Sequence, residues 1–287
     1  MNRIDVLTTY KMYIGGQFPR TESGRFYKVF DKQGELLANV CLGSRKDVIN
    51  AVKSARNAFL EWSKKNAYHR GQILYRIAEI LESRRSEFEK ELIRIGFSSS
   101  AAATDVDASI DRLIYYAGWT DKYQQVFGSV NPVSSAHFNF SILVPTGVVG
   151  IIAPENSPLL GLVSVIAPIL AGGNTSVVLS SELYPLTSIA FAEVLNASDV
   201  PAGVVNIITG KKEELVEHFA GHMDVNALCY NDRLSKEMEI NIDELAAENI
   251  KRIIKTPIDD WYSKNAESPY FITDTQEIKT TWHPIGF

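Results

Sequence analysis

The chain has 287 residues, 45% of them apolar and 22% charged, a composition that supports one large or two small folded domains and excludes a disordered chain. Its 29 basic residues are outnumbered by 34 acidic ones, and the net charge of -5 predicts neither a nucleic acid nor a membrane as partner. Two widely separated cysteines, Cys41 and Cys229, predict no disulfide framework, no metal site and a reducing, cytoplasmic location.

The first half of the chain is predicted to contain three packing helices with polar outer faces. The first covers residues 44–62, with Ser44 as its N-cap three residues before Asp47. The second covers residues 70–93 and the third lies around residues 107–126, and both carry apolar residues at helical spacing. The first residues lack the apolar segment of a signal peptide, so we expect the protein to stay inside the cell.

A hairpin is predicted within residues 127–147. Two extended segments flank a Pro/Ser turn there, and Phe138, Phe140 and Ile142 alternate with polar residues. A further alternating strand is predicted from Glu277 to His283, close to the last residue. Both lie outside the main pattern of the second half of the chain.

That main pattern runs from residue 147 to residue 255, where short β-branched runs alternate with helical ones. Five such runs predict βαβ crossovers and a Rossmann-like, doubly wound parallel sheet with both faces buried. One uncharged run, residues 157–181, approaches the length of a membrane helix, but Pro168 and the Gly172-Gly173 pair interrupt it. We therefore expect a helix of about three turns followed by a buried strand.

Residue types alone give little support for a nucleotide site. The G-x-G-x-x-G pattern that brings a pyrophosphate to a helix N-terminus is absent from the chain. After the third strand of the series only Gly210 stands in the turn, and Glu213 and Glu214 open the next helix, where they would repel a phosphate.

The candidate catalytic residues each have a structural alternative. Asn156, between a strand and a helix, could donate to an oxyanion, but we favour its interpretation as a helix cap. Cys229 lies in an apolar strand and is typical of a small buried hydrophobe rather than an activated nucleophile. His218 and His222 have a spacing that can bind a metal, yet a helix end near His222 is the favoured interpretation.

Several short motifs, in their order along the chain, resemble the aldehyde dehydrogenase superfamily. They include YIGGQF, VPTGVVGIIAP, AGGNT followed by SSELYPLT, and PAGVVNIITG, and the resemblance runs from about Tyr13 to Arg252. The terminal EIKTTW is similar to the last strand of that family. A closer resemblance is to the truncated, cysteine-less second half of the large two-part aldehyde dehydrogenases.

Departures from the family pattern decide the functional prediction. Active members carry a catalytic domain with the nucleophilic cysteine before their last strand, but here only residues 258–276 separate Pro257 from Glu277. The resemblance therefore implies that the catalytic domain is absent, together with its cysteine and its general-base glutamate. Asn156 matches the oxyanion asparagine of the family, although the tryptophan that precedes it there is Glu155 here.

The cofactor contacts of the family are altered as well. Its Lys-Pro-Ser-Glu becomes Leu179-Ser180-Ser181-Glu182, so the lysine that holds the adenosine ribose is lost while the glutamate remains. Family glycines fall on Lys212 and Val216, and the phosphate-facing F-T-G-S becomes Tyr230-Asn231-Asp232-Arg233. These changes oppose dinucleotide phosphates, so the resemblance implies a vestigial NAD or NADP pocket, and no bound cofactor is expected. The remaining cofactor-binding positions are Pro154, Asn156 and Glu182.

We predict a dinucleotide-binding-like domain formed by residues 1–125 and 146–257, with an oligomerisation hairpin and strand at residues 126–145 and 270–287. The predicted function is that of a non-catalytic homologue that assists the assembly or regulation of a full-length aldehyde dehydrogenase, as a homodimer or as a heterodimer with it. The alternative is an NAD(P)-binding oxidoreductase, or a subunit of one, acting on the aldehyde or oxo group of donors. Its support is the intact βαβ series and the retained Glu182. A weaker third possibility is a fragmentary gene product.

Overall fold

The computed structural model describes residues 9–232 and 234–286. The strands in chain order are β1 (Thr9–Tyr10), β2 (Phe26–Phe30), β3 (Leu36–Cys41), β4 (Ser129–Asn131), β5 (His137–Pro145), β6 (Val148–Ile152), β7 (Thr175–Leu179), β8 (Val205–Ile208), β9 (Ala227–Tyr230), β10 (Arg252–Lys255) and β11 (Gln276–Pro284). The helices are α1 (Arg45–Lys64), α2 (Ala67–Ser83), α3 (Arg85–Arg94), α4 (Ser99–Trp119), α5 (Tyr123–Phe127), α6 (Leu160–Ala171), α7 (Pro185–Asn196), α8 (Lys212–Ala220), α9 (Lys236–Ala247) and α10 (Tyr270–Thr273).

The five strands from β6 to β10 form one sheet in which every pairing is parallel. Their order across the sheet is β10-β9-β6-β7-β8. Helices cover both faces, and every residue of β6 is therefore buried, which explains why its sequence VVGII is a continuous apolar run rather than an alternating one. The predicted α/β fold with a Rossmann-like, doubly wound parallel sheet is confirmed.

Two helical layers enclose this sheet. Helices α1, α8 and α9 pack on one face, where Val52 of α1 and Phe219 of α8 are fully buried. Helices α2, α3, α4, α6 and α7 pack on the other face, around Tyr116 and Phe191. As the sequence predicts, α1 opens with a capping box, in which the Ser44 hydroxyl and the carboxylate three residues later each accept the other residue's N–H.

A second sheet joins the predicted hairpin to the strand near the end of the chain. Its order is β11-β5-β4, all antiparallel, and β11 pairs with β5 over its whole length, starting from Gln276 opposite Pro145. The base of β11 is held against the domain, because buried Gln276 accepts a hydrogen bond from Arg252 at its carbonyl oxygen (2.7 Å). From Glu277 to Pro284 every residue is exposed. We call this second sheet, made of β4, β5 and β11, the projecting sheet.

Residues 257–275, which we call the strap, lead from β10 to β11 along α4 and α6. The buried side chain of Arg112 on α4 donates to the carbonyl oxygens of Trp261 (3.0 Å) and Ala266 (2.5 Å) in the strap. Trp261 is itself buried. Single polar and aromatic side chains hold the strap, so no periodic apolar pattern marks it in the sequence.

The structure differs from the sequence predictions in several places. The predicted second helix is divided at Arg84, whose guanidinium pairs with Glu87 of α3 and Glu193 of α7. Pro168 lies inside α6, which continues to Ala171. Strands β1, β2 and β3 form a small sheet of order β1-β3-β2 that the sequence analysis did not identify. Within the described ranges, no helix is long and apolar enough to cross a membrane.

Candidate functional site

The strand order places a ligand crevice between β6 and β9. In open α/β sheets, ligands bind outside the carboxyl ends of the strands, at the point where the strand order reverses. Here the chain proceeds from β6 through β7 to β8 on one side and then returns to β9 on the other side of β6. The loops that follow β6 and β9 border this point. We therefore take the carboxyl ends of β6 to β9 as the candidate site.

Glu155, in the loop after β6, directs its carboxylate towards the loop after β7. It accepts hydrogen bonds from the backbone N–H groups of Glu182 (3.0 Å) and Leu183 (3.2 Å) and from the hydroxyl of Ser181. The ammonium group of Lys212, at the start of α8, lies 3.0 Å from the same carboxylate. Burial opposes ionisation of Glu155, but Lys212 and these donors outweigh it and hold the pKa of that carboxyl below its ordinary value.

Asp232, in the loop after β9, completes this group. Its carboxylate lies 2.9 Å from the Lys212 ammonium and accepts the backbone N–H of Glu155 at 3.0 Å, so it crosses the space between β9 and β6. Burial would lower the pKa of Lys212, but the two carboxylates outweigh burial and raise it. We call Glu155, Lys212 and Asp232 the crevice cluster. It is a lysine shared by two carboxylates, with each side chain largely buried.

At three helix N-termini along this edge, a backbone N–H is bonded to a side chain of the chain itself. The first N–H of α6, that of Leu160, donates to the buried carboxylate of Asp105 on α4 (3.2 Å). The first N–H of α8, that of Lys212, donates to the carboxylate of Glu182. At α9, the Ser235 hydroxyl acts as the N-cap. These N–H groups, which could otherwise bind a phosphate, are thus already bonded to internal acceptors.

Asn156 faces the strap rather than the crevice cluster. Its side-chain oxygen accepts a hydrogen bond from the indole N–H of Trp261 at 2.9 Å. The sequence interpretation of Asn156 as the cap of α6 is wrong, because the neighbouring hydroxyl of Ser157 accepts the N–H of Gly161 (2.8 Å) instead. Pro154 is buried against α6, where Gly161 provides the necessary space: a Cβ at Gly161 would lie 2.7 Å from the Pro154 ring.

Neither cysteine is placed to act as a nucleophile. Cys229 lies in β9, as predicted, and burial raises the pKa of its thiol to about 12. Such a thiol stays protonated near neutral pH, whereas the thiolate is the reactive form. Cys41, the last residue of β3, is also buried. The chain contains no third cysteine.

The histidines give no sign of a metal site. Helix α8 ends at Ala220, so His222 lies beyond it, and the helix-end interpretation is confirmed. The His222 ring accepts the backbone N–H of Asp224 at 3.1 Å. Across residues 9–232 and 234–286, no three His, Cys, Asp or Glu side chains are grouped so as to hold a metal ion.

Three candidate cofactor positions come from the sequence: Pro154, Asn156 and Glu182. Only Glu182 contacts the crevice cluster: its N–H donates to Glu155, and its carboxylate accepts the backbone N–H of Lys212. Glu155, Lys212 and Asp232 stand out in the sequence as departures from the family pattern, but nothing in the sequence predicts that they contact one another. The one feature of the sequence that could have predicted this contact is the opposite charge of Lys212 and the two acidic residues. Arg233, the fourth residue of the altered phosphate-facing motif, lies outside the described residues. Leu179, where the family has lysine, is fully buried at the end of β7.

Comparison with known proteins gives a consistent result. The model of the aldehyde dehydrogenase family matches residues 19–255. Cytosolic 10-formyltetrahydrofolate dehydrogenase of Xenopus tropicalis is 35% identical over 243 residues, and cytosolic aldehyde dehydrogenase 1 of Elephantulus edwardii is 35% identical over 250 residues. Among solved structures, the NAD+ complex of aldehyde dehydrogenase from Bacillus cereus superposes with a TM-score of 0.81 at 29% identity.

These matches cover most of this chain but only part of each relative. The alignments include 80% and 85% of this chain and 26% and 49% of the Xenopus and Elephantulus proteins, respectively. The superposition includes 86% of this chain and 50% of the Bacillus chain. The chain therefore spans about half the length of the aldehyde dehydrogenases that it matches.

Proposed function

The chain belongs to the aldehyde dehydrogenase family, and from this premise we propose that it is a non-catalytic homologue that serves as an assembly or regulatory partner of a full-length aldehyde dehydrogenase. Such a partner needs the scaffold and the contact surface of the family but not its chemistry. We also propose a cytoplasmic location. The carrying observation is the contrast between a buried thiol and an exposed sheet whose strand β11 has no neighbour on its outer side among the described residues.

The chemistry of the family requires a thiolate that can attack an aldehyde carbon. The only two cysteines of this chain are both buried, and burial raises the pKa of the Cys229 thiol. The strap occupies the whole connection between β10 and β11, and its Trp261 bonds to the side-chain oxygen of Asn156. These features support the absence of aldehyde oxidation.

The projecting sheet supports the partner role. Strand β11 has β5 on one side and no strand on the other among the described residues, so a row of backbone hydrogen-bonding groups is left for another chain. Apolar side chains stand exposed on both faces of this sheet: Ile278 and Trp282 on one, Phe138 and Ile142 on the other. Exposed apolar surface beside a free strand edge is typical of an interface.

Co-expression tests the partner role. The chain, with an affinity tag, is produced together with a full-length aldehyde dehydrogenase from the same organism, and the mass of the purified species is measured by light scattering. We expect a stable dimer or a mixed complex. The double variant Ile278→Lys/Trp282→Lys should lose it, because two charges would be buried in the interface. The matched control Leu60→Lys/Tyr68→Lys changes side chains of similar exposure on α1 and α2 and should retain it.

Activity measurements test the catalytic part of the proposal. We expect no oxidation of aldehydes by the purified chain with NAD or NADP. A turnover above background that disappears in Cys229→Ala would contradict the proposal, because it would show that the buried thiol reaches a substrate. In a complex with this chain, the full-length relative is expected to remain active. Its turnover rate or its thermal stability should differ from that of the relative alone.

The alternative function is an NAD(P)-binding oxidoreductase or a subunit of one. Its support is the family membership, the parallel sheet of the fold and the likeness to a chain solved as an NAD+ complex. A clear rise of the melting temperature in millimolar NAD or NADP would favour it, since a ligand that binds the native state stabilises that state.

A further inference from the structure

The ligand crevice does not fit a dinucleotide. A pyrophosphate needs free backbone donors at the carboxyl end of the sheet and no carboxylate in its path. Here the Asp232 carboxylate crosses from β9 to the backbone N–H of Glu155 (3.0 Å). The N–H groups of Glu182 and Leu183, which could receive an anion, already donate to the Glu155 carboxylate. A phosphate would meet carboxylates where it needs donors.

The crevice cluster is internally balanced. Lys212 has contacts of 3.0 Å with Glu155 and 2.9 Å with Asp232, and only 13% of its side chain is exposed. A partly buried charge without its partner is costly, so each of these three residues depends on the other two. In this arrangement, contacts among the chain's own side chains stand where a ligand would otherwise bind.

We propose that the crevice cluster is a built-in occupant of the ligand crevice, which excludes NAD and NADP. The Glu155 carboxylate acts as a tethered anion on the donors of the loop after β7, and the Lys212–Asp232 pair closes the space between β6 and β9. The pocket is thus filled rather than eroded. This inference concerns the crevice alone and does not depend on the partner role of the projecting sheet.

The first experiment opens the crevice. In the triple variant Glu155→Ala/Lys212→Gly/Asp232→Gly, all three charged side chains are removed while Glu182 is kept. Isothermal titration and thermal melting with NAD are compared with the unchanged chain. We expect no shift for the unchanged chain and a rise of about 2 °C or more in millimolar NAD for the variant. Binding by the unchanged chain overturns the proposal, and so does a folded variant that gains no affinity.

A second experiment decides the matter if the triple variant does not fold. In Glu155→Ala the tethered anion is missing, while Ser181, Lys212 and the two N–H donors remain. Added acetate should then enter the vacated place and raise the melting temperature by about 2 °C or more relative to chloride at equal ionic strength. The matched control is Glu193→Ala, which deletes an exposed carboxylate from an ion pair with Arg84. An equal response of both variants to acetate overturns the proposal.

The mass of each variant in light scattering separates this inference from the proposed partner role. If the triple variant binds NAD while its oligomer mass is unchanged, the built-in occupant is supported, independently of the role of the projecting sheet. If the oligomer is missing in every form, the partner role fails while the crevice result stands on its own.

Discussion

The crevice between β6 and β9 differs from the projecting sheet in how far its polar and apolar groups are already in contact within the chain. At the crevice, the Glu155 carboxylate, the Lys212 ammonium and several backbone N–H groups are bonded to one another, and the first N–H of α8 donates to the Glu182 carboxylate. On the projecting sheet, the outer edge of β11 faces no strand among the described residues, and apolar side chains such as Ile278 are largely exposed. The first region forms its contacts within the single chain, and we propose that the second forms its remaining contacts with another chain.

This difference indicates where to look for function in a shortened member of an enzyme family. A site that satisfies its own hydrogen bonds has little affinity left for a ligand, because each new contact must replace an existing one. A strand edge and an apolar surface gain contacts at little cost. The projecting sheet is therefore where variants should change association, and the crevice is where they should change the stability of the monomer.

Removal of β11 should have the largest effect. A chain truncated after Thr275 loses the strand that covers one side of β5, and that side of β5 becomes an exposed edge. We expect a lower soluble yield and a lower oligomer mass in light scattering, halved if the species is a dimer. A chain truncated after Pro284 keeps the β5–β11 pairing and serves as the control. If the shorter chain stays folded at unchanged mass, β11 has no role in assembly.

At the crevice, Lys212→Met should lower the free energy of unfolding by about 2–3 kcal/mol. This is below the loss for fully buried pairs, because Glu155 and Asp232 keep partial exposure. The control is Lys255→Met, whose partners Glu239 and Asp243 are more exposed, and it should change stability by less than about 1 kcal/mol. Urea unfolding measures both. Equal losses would remove the distinction between the crevice and an ordinary surface ion pair.

Acidification should weaken the crevice and leave the projecting sheet paired. The folded-state pKa of Glu155 lies below its ordinary value of about 4.3, so its contribution is fully present above that pH and is lost as the pH falls through the folded-state pKa. The variant Glu155→Gln should therefore show a shallower loss of stability in acid. Asp105 and Asp274, whose pKas burial raises, act in the opposite direction but are common to both proteins and cancel. The prediction is contradicted if the free energy of unfolding falls equally steeply with decreasing pH in the unchanged chain and in Glu155→Gln.

The smallest expected effect concerns the thiols. A thiol-labelling reagent near neutral pH should modify neither Cys41 nor Cys229 until urea unfolds the chain, because both are buried and the pKa of Cys229 is about 12. Labelling followed by absorbance, with the unfolded chain as the reference, provides the test. Fast modification of Cys229 in the native chain would mean that the sheet opens at β9 far more readily than its packing indicates.

The sequence predicts the parallel sheet well because its signal is repeated. Four of the five strands are short runs rich in β-branched residues between helical segments, and β9 is a short apolar run without them. The capping pair of Ser44 and Asp47 marks the start of α1 in the same local way. The hairpin and β11 are also predicted from alternation. Their mutual pairing is not evident from the residues alone, since β5 and β11 are separated by the whole Rossmann-like series.

The crevice cluster could be predicted only in part. Glu155, Lys212 and Asp232 stand out as departures from a family pattern, yet their contacts depend on strand order, which brings the loop after β9 next to the loop after β6. The strap is less visible still. It is held by Arg112 and by the Trp261–Asn156 bond, and single long-range hydrogen bonds of this kind leave no periodic trace in the sequence.

The hydrogen bond between Arg112 and Ala266 also limits when this part of the chain can fold during synthesis. The two residues are 154 positions apart, so at about 5–20 residues per second a ribosome adds Ala266 roughly 8–30 s after Arg112. During that interval the guanidinium on α4 has none of its strap carbonyls, and once α6 has been made, the face of α4 and α6 that the strap covers stays uncovered until the strap follows. The contact between α4 and the strap can therefore form only after the whole Rossmann-like series has been made.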